Sequence, residues 1–464
     1  MDQARESYPM THQQQGLWYL SQTMPARQRA GLNLCYGINL HGPLDYDAME
    51  RATNALIARH ASLRTQIALE KGELRQVIRP HDEREMPTID LTRAAHVKEA
   101  ERQTCEEEAN RKFDLSAGPL SSFKLVRLRD DTHTLIHNTH HIITDGISVH
   151  ILRRDLATLY NAYASGAESQ LPPAGLQQYD HALWQQERLR RGDFDSQERY
   201  WTNQLARELP VLNLPTDYER PATRTFRGAN YRQSLPQELG EKLQLHSFRN
   251  RATLSSTLLA AFAVLLSKYC GQQAIMMGTN FAGRHQPPGL LNSVGLFINT
   301  VALLLELPGD ATWRDFLGHV NKKSVDAYDN QDYPLQLVVR KLNPRRDMSR
   351  PPLFQVAFNM EAMPPDAINW ARLEERGWER FHTETCVVDL LLYVTKSGAG
   401  LDARLEYCAD LFSRETIAGM MRHYVYILRQ IAETNNLALS DIRLPAPTPN
   451  DPARQEATGG SITH

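Results

Sequence analysis

Between Thr132 and Thr139 the sequence is rich in Thr, Leu and Ile and shows little helical signal, while Leu152, Leu156 and Leu159 beyond it recur at helical spacing. A strand that feeds a helix is therefore predicted, and it commits this part of the chain to a mixed α/β architecture. On the connection lies Thr139-His140-His141-Ile142-Ile143-Thr144-Asp145-Gly146. Two adjacent histidines, a carboxylate and a glycine are concentrated here as nowhere else in the chain.

Such a connection can hold an imidazole at a pocket wall while the backbone N–H groups that follow point toward a developing negative charge. Imidazole titrates near neutrality, so one of the two histidines can take a proton from an attacking amine or hydroxyl. Gly146 permits close backbone approach. Asp145 can orient a ring or anchor the loop through an arginine. The same residues also fit a metal site with His137 or His150 as a further ligand, or a structural loop whose histidines bond backbone carbonyls. No second liganding cluster of recognisable spacing accompanies the motif, so no metal is expected.

A chain of 464 residues has room for two or three domains, and 41% hydrophobic with 23% charged residues describes a globular protein with substantial cores. The net charge of −2 gives no electrostatic reason to expect nucleic acid or an anionic membrane as partner. Met1-Asp2-Gln3-Ala4-Arg5-Glu6 has no apolar core of a secretory kind, and the runs Leu258 to Leu266 and Val294 to Leu307 fall below the ~18 residues of a membrane span. A cytoplasmic monomer is the expectation. Cys35, Cys105, Cys270, Cys386 and Cys408 lack CxxC spacing and read as reduced packing residues.

Taken in order, Pro9 to Leu20 predicts a loop entering a short helix. Asp45 is placed to cap an amphipathic helix carrying Met49, Ala52, Leu56 and Ile57, and alternation from Gln66 to Ile78 predicts a hairpin turning at Lys71-Gly72. Residues 93–112 are helical in character and 120–128 alternate as a strand. The helix after the histidines is expected to stop at Ala164-Ser165-Gly166. Further on, Ser255 or Ser256 is the expected cap of an apolar helix from Leu258 to Tyr269. Strands are expected at 229–235, 274–278, 294–300, 386–395 and 402–408, with helices from Trp313 to Tyr328 and from Arg414 to Thr434. The division predicted is a first lobe at 1–175, a second at 176–445 and a disordered tail at 446–464.

These stretches together resemble the condensation domain of nonribosomal peptide synthetases. His140-His141-Ile142-Ile143-Thr144-Asp145-Gly146 fits that family's His-His-x-x-x-Asp-Gly signature, and six further stretches fit in the same order: Thr11 to Leu20, Arg59 to Ile67, Gln177 to Gln185, Val294 to Thr300, Asn330 to Leu335 and Arg346 to Val356. Gly16, Ala61, His181 and Pro351 depart from the family's usual Arg, Glu, aromatic and Asn, which leaves the subclass and the donor's stereochemistry open.

The resemblance implies an α/β fold of two chloramphenicol-acetyltransferase-like lobes in a V with a tunnel between them. Carrier proteins would dock at its mouths, each bringing a substrate on its phosphopantetheine arm, and no cofactor would be bound by the chain itself. His141 matches the catalytic second histidine, and Asp145 the loop-holding aspartate, for which Arg64 is the first candidate partner and Arg284 the second. Gly146 N–H is a candidate oxyanion donor, His140 is expected to be structural, and Asn299 and Ser349 are candidate tunnel-lining residues. Tyr333 and Trp184 are expected in the core. The activity implied is acyl transfer from a carrier thioester to an amine or hydroxyl, carried on a carrier or on a small molecule. An epimerization domain, an acyltransferase using free coenzyme A and a catalytically silent carrier-recruiting module are the alternatives.

Overall fold

The computed structural model describes residues 6–345, 347–362, 368–397, 400–434 and 436–445, so the expected tail at 446–464 lies outside the described residues. Two compact units emerge. The first contains residues 1–195, 282–299 and 366–384, and the second contains the rest.

In the first unit the chain runs through β1 (Glu6–Pro9), α1 (His12–Thr23), β2 (Asn33–His41), α2 (Tyr46–Arg59), β3 (Thr65–Glu70), β4 (Glu73–Ile78), β5 (Thr88–Asp90), α3 (Val97–Ala109), β6 (Ser121–Arg129), β7 (Thr132–His140), α4 (Gly146–Ser165) and α5 (Gln178–Arg191). Asp45 caps α2 by accepting the Ala48 N–H at 3.0 Å, and Gly166, left-handed at φ 68°, ends α4. β3 and β4 form the hairpin that turns at Lys71-Gly72, and β1 adds to β4.

The larger sheet pairs a late strand, Glu374–Phe381, with β2, followed by β7, β6 and β5. Side chains alternate across it. Ile38 and Leu40 of β2 and Leu135 of β7 join Met49, Leu56, Leu152 and Leu156 in one core under α2 and α4. Cys35 and Ile136 pack with Cys105 and Ala109 of α3 on the other face. β7 is thus covered on both sides, which explains why it lacks the polar alternation of a half-solvated strand.

The expected boundary at 175 is not where the unit ends. Gln177 accepts the Ala61 N–H at 3.0 Å, and the strand Glu374–Phe381 supplies β2 with its second ladder, so α5 and two segments distant in sequence belong to the first unit. The strand expected at 294–300 begins only at Asn299. Ahead of it the backbone is held by side chains: Ser62 donates to Val294 O at 2.6 Å, and Ser148 donates to Gly295 O at 2.8 Å and accepts its N–H at 3.0 Å. A β-carbon on Gly295 would sit 2.0 Å from Gln178 Oε1, so any larger residue would have to push aside the amide that accepts the Leu296 N–H.

The second unit is built on a six-stranded mixed sheet. Its strands are β8 (Gly228–Leu235), β9 (Ala274–Phe281), β10 (Asn299–Glu306), β11 (Val356–Ala362), β13 (Leu390–Ser397) and β14 (Gly400–Cys408), β12 being the late strand of the first unit. The spatial order is β10-β9-β11-β13-β14-β8, parallel from β9 through β13 and antiparallel from there to β8. The apolar helix Leu254–Cys270 starts before the expected Leu258. Thr253, not Ser255 or Ser256, caps it, accepting the Ser256 N–H at 3.0 Å. Among the described residues no single helix is long and apolar enough to cross a membrane.

Candidate active site

β7 delivers His140, and the chain then makes a single 3-10 turn, His141–Ile143, before α4 begins at Gly146. The His141 ring places Nδ1 2.7 Å from the Thr144 carbonyl oxygen. A carbonyl only accepts, so Nδ1 must carry the proton, and in the neutral ring Nε2 keeps a lone pair. Burial pushes the His141 pKa down. The Thr144 bond and the Asp145 charge oppose that shift in part, while Arg380 adds to it. The side chain therefore has the tautomer and the charge state of a general base at neutral pH.

His140 has no such freedom. Its Nδ1 accepts the Ile142 N–H at 3.1 Å, and burial takes its pKa down to about 3, so it remains an acceptor within the loop.

Asp145 does not act on the His141 ring through a hydrogen bond. It caps α4: Oδ1 accepts the Ser148 N–H at 2.8 Å and stands 2.8 Å from the Ser148 hydroxyl, whose single proton it shares with Gly295 O, and Oδ2 accepts the Phe297 N–H at 3.1 Å. Its cationic partner is Arg284, whose Nη2 stands 2.6 Å from Oδ1 in a pair 2–4% exposed. Arg284 Nη1 also donates to the carbonyls of Leu290 at 3.1 Å and Ser293 at 2.6 Å, and the guanidinium lies 4.5 Å over the Phe297 ring. Arg64, the first candidate for this role, is corrected by the structure. Its guanidinium donates to the carbonyls of Ile57, Ala58 and Arg79, tying the C-terminal turn of α2 to the exit of β4.

Gly146 is the first residue of α4, where backbone N–H groups have no partner within the helix. Apart from its chain neighbours and the backbone of its own helix, no atom lies within 4 Å of the place a β-carbon would take there, so that side of the helix start is open. Asn299 is buried and accepts from Gln13 Nε2 at 3.3 Å. Ser349 belongs to the second unit, where its hydroxyl and N–H both bond Asp347 Oδ1, at 2.6 and 2.8 Å. Tyr333 is buried in that unit, while Trp184 in the first is half-buried against His181. Among the described residues no group of three or more His, Cys, Asp or Glu is arranged to hold a metal ion.

The residues unnoticed in the sequence are Ser148, Phe297 and Gln14, which serve the motif through backbone or hydroxyl contacts. Only Gln14 carried a readable signal, its place three residues after Thr11 in a Thr-x-x-Gln capping box.

A family model described as the condensation domain matches residues 4–451. Tyrocidine synthase 3 of Brevibacillus parabrevis is 37% identical over 439 residues, covering 95% of this chain and 6% of that protein. Surfactin synthase subunit 2 of Bacillus subtilis (strain 168) is 34% identical over 440 residues, covering 95% and 12%. The chain thus spans only a small fraction of these curated relatives. Among solved structures, the X-domain from teicoplanin biosynthesis superposes with a TM-score of 0.84 at 25% identity, covering 96% of this chain and 99% of that one. The condensation domain from Monacolin K polyketide synthase MokA gives 0.84 at 18% identity, covering 94% and 99%, and so shares the fold. The chain belongs to the condensation-domain family of nonribosomal peptide synthetases, whose general chemistry is amide-forming acyl transfer.

Proposed function

We propose that this chain transfers an acyl group from a carrier-protein phosphopantetheine thioester to an acceptor amine or hydroxyl, forming an amide or ester. The observation that carries the reading is the His141 Nδ1–H bond to Thr144, which leaves Nε2 as the one basic position of the ring. The acceptor gives its proton to Nε2 as its nitrogen or oxygen attacks the thioester carbon. The resulting oxyanion is met by the free N–H of Gly146 at the positive end of α4. Collapse breaks the C–S bond, and the departing thiolate takes the proton back from His141, so the protein ends as it began.

Asp145 anchors rather than reacts. Its charge is matched by Arg284, so it does not oppose the negative charge forming at the helix start. Because the thioester is already activated, positioning can supply much of the acceleration, on the order of 7–11 kcal/mol at its best. The donor arrives on a carrier protein, the acceptor on a second carrier or as a free small molecule, and the chain works in the cytoplasm without a bound cofactor.

The experiment follows an acyl-loaded carrier protein by intact-protein mass spectrometry in the presence of this chain, a panel of amine and alcohol acceptors and a His141→Ala control. Acceptor-dependent loss of the acyl group with a matching product is the expected result. An unchanged acyl carrier that gains deuterium at its α position indicates epimerization instead. Turnover of free coenzyme A thioesters without a carrier points to a coenzyme A acyltransferase, and no change of any kind to a recruiting module.

A further inference from the structure

The turn that carries His141 is held from outside the motif by Gln14. This side chain, fully buried in the first turn of α1, accepts the Thr11 N–H on Oε1 at 3.0 Å and reaches with Nε2 to the carbonyl oxygen of Ile142 at 3.2 Å. The two partners fix the orientation of the amide, since a backbone N–H can only donate and a carbonyl can only accept. On the other side of Ile142, the N–H is held by His140 Nδ1 at 3.1 Å. The peptides before and after Ile142 are therefore each tied to a buried side chain. The next residues close the turn through the Thr144 N–H, 3.4 Å from His141 O, and the Thr144 carbonyl that binds the His141 ring.

We propose that Gln14 is a positioning residue for acyl transfer: by holding the Ile142 carbonyl it sets the turn in which Thr144 takes the Nδ1 proton and Nε2 of His141 is left for the acceptor. This rests on the reading of His141 as the base. Gln14 touches no substrate and acts only through the turn. A displacement of the ring by about 1 Å is enough to cost on the order of 100-fold in rate.

Gln14→Glu separates this role from a structural one. Glutamate at the third position of a capping box still accepts the Thr11 N–H, so α1 keeps its cap. The donor to Ile142 is lost, and a carboxylate oxygen faces a carbonyl oxygen in its place. Once protonated, the carboxyl regains a donor. Turnover of Gln14→Glu is expected to fall up to about 100-fold at neutral pH with KM for the acyl carrier little changed. The deficit relative to the unsubstituted protein should shrink as pH is lowered, although that protein itself loses activity in the same direction. Gln14→Met, which has no donor at any pH, should show the deficit without the recovery. Thr11→Ala, which removes the acceptor of the Gln14 N–H but leaves its amide, should lower the denaturation midpoint and spare turnover.

A second readout is independent of the assay. With histidine labelled in nitrogen-15, the His141 ring should report a single Nδ1–H tautomer in the unsubstituted protein and a mixture in Gln14→Glu and Gln14→Met. Unchanged ring signals in both folded variants, or an equal deficit at all pH values in Gln14→Glu, overturn the proposal. A shifted tautomer in a protein that transfers no acyl group from any donor sinks the functional reading while leaving the hold on the turn in place.

Discussion

The Nδ1 of His141 and the carbonyl oxygen of Thr144 stand 2.7 Å apart, and this contact within one turn decides which ring nitrogen is available for chemistry. Replacing His141 by Ala removes the base and a single hydrogen bond. Turnover should fall by roughly 10²- to 10⁴-fold, while stability changes by about 1 kcal/mol, the net worth of one such bond. Steady-state rates beside urea denaturation check both. A folded His141→Ala protein with ordinary turnover sinks the assignment.

Asp145→Ala should behave in the opposite way, costing stability first. It strands Arg284 in a site where both partners are almost fully covered, and removing one member of such a pair costs on the order of 3–5 kcal/mol. Two further donors, the Ser148 N–H and the Phe297 N–H, lose their acceptor at the same time, while the Ser148 hydroxyl keeps Gly295 O. Asp145→Ala combined with Arg284→Met is expected to recover part of the loss, because the uncompensated charge is gone. A double-mutant cycle in urea measures the coupling, and additive effects contradict it.

Acid should destabilise the fold earlier than carboxylate titration alone would. Burial lowers His137 and His140 to about 3 and His181 to about 4. In the unfolded chain each titrates near 6.5, so below that pH the unfolded state binds protons that the folded state refuses, and stability falls as pH falls. Above that value both states are neutral and the effect vanishes. One pH unit below it the three together cost on the order of 4 kcal/mol. His181→Phe tests one share of this. The ring stacks on Trp184 at 5.4 Å and meets Phe297 edge-on at 5.3 Å, and its Nδ1 has no hydrogen-bond partner, so Phe keeps the packing and removes the proton site. The denaturation midpoint of the variant should depend less steeply on pH between 7.5 and 5.5. An identical slope overturns the account.

How much of this was legible follows from how local each cause is. The β7–α4 junction, the Asp45 cap and the Lys71-Gly72 turn depend on residues a few positions apart, and the sequence pattern discloses them. The partner of Asp145 lies 139 residues away, and nothing near Arg284 marks it over Arg64. The strand Glu374–Phe381 is not among the expected strands, since Glu-Glu-Arg-Gly-Trp-Glu-Arg-Phe is dominated by charged residues and carries a glycine, which strands disfavour. It is a strand because it lies along β2 and stacks Trp378 on Tyr36 at 4.8 Å, which no local propensity records. For the same reason the boundary at 175 failed: the segments that complete the first unit are joined to it by pairing, not by proximity in sequence.

Gly146→Ala sets folding and function against each other at the start of α4. The residue is helical, and a methyl group there meets nothing within 4 Å beyond its chain neighbours and the backbone of its own helix. Alanine also loses less backbone entropy on folding, so the variant should be as stable as the original or more so, by up to about 1 kcal/mol. On the proposed reading, the thioester carbonyl reaches the Gly146 N–H across this open side of the helix start, where the methyl group would stand. Turnover with an acyl-loaded carrier is therefore expected to drop by about 10- to 100-fold, less than the 10²- to 10³-fold loss of a whole oxyanion donor, because the N–H itself remains. Thermal denaturation and single-turnover transfer on the same sample decide it. A stable variant with undiminished transfer would mean that the acyl carbonyl approaches His141 from elsewhere.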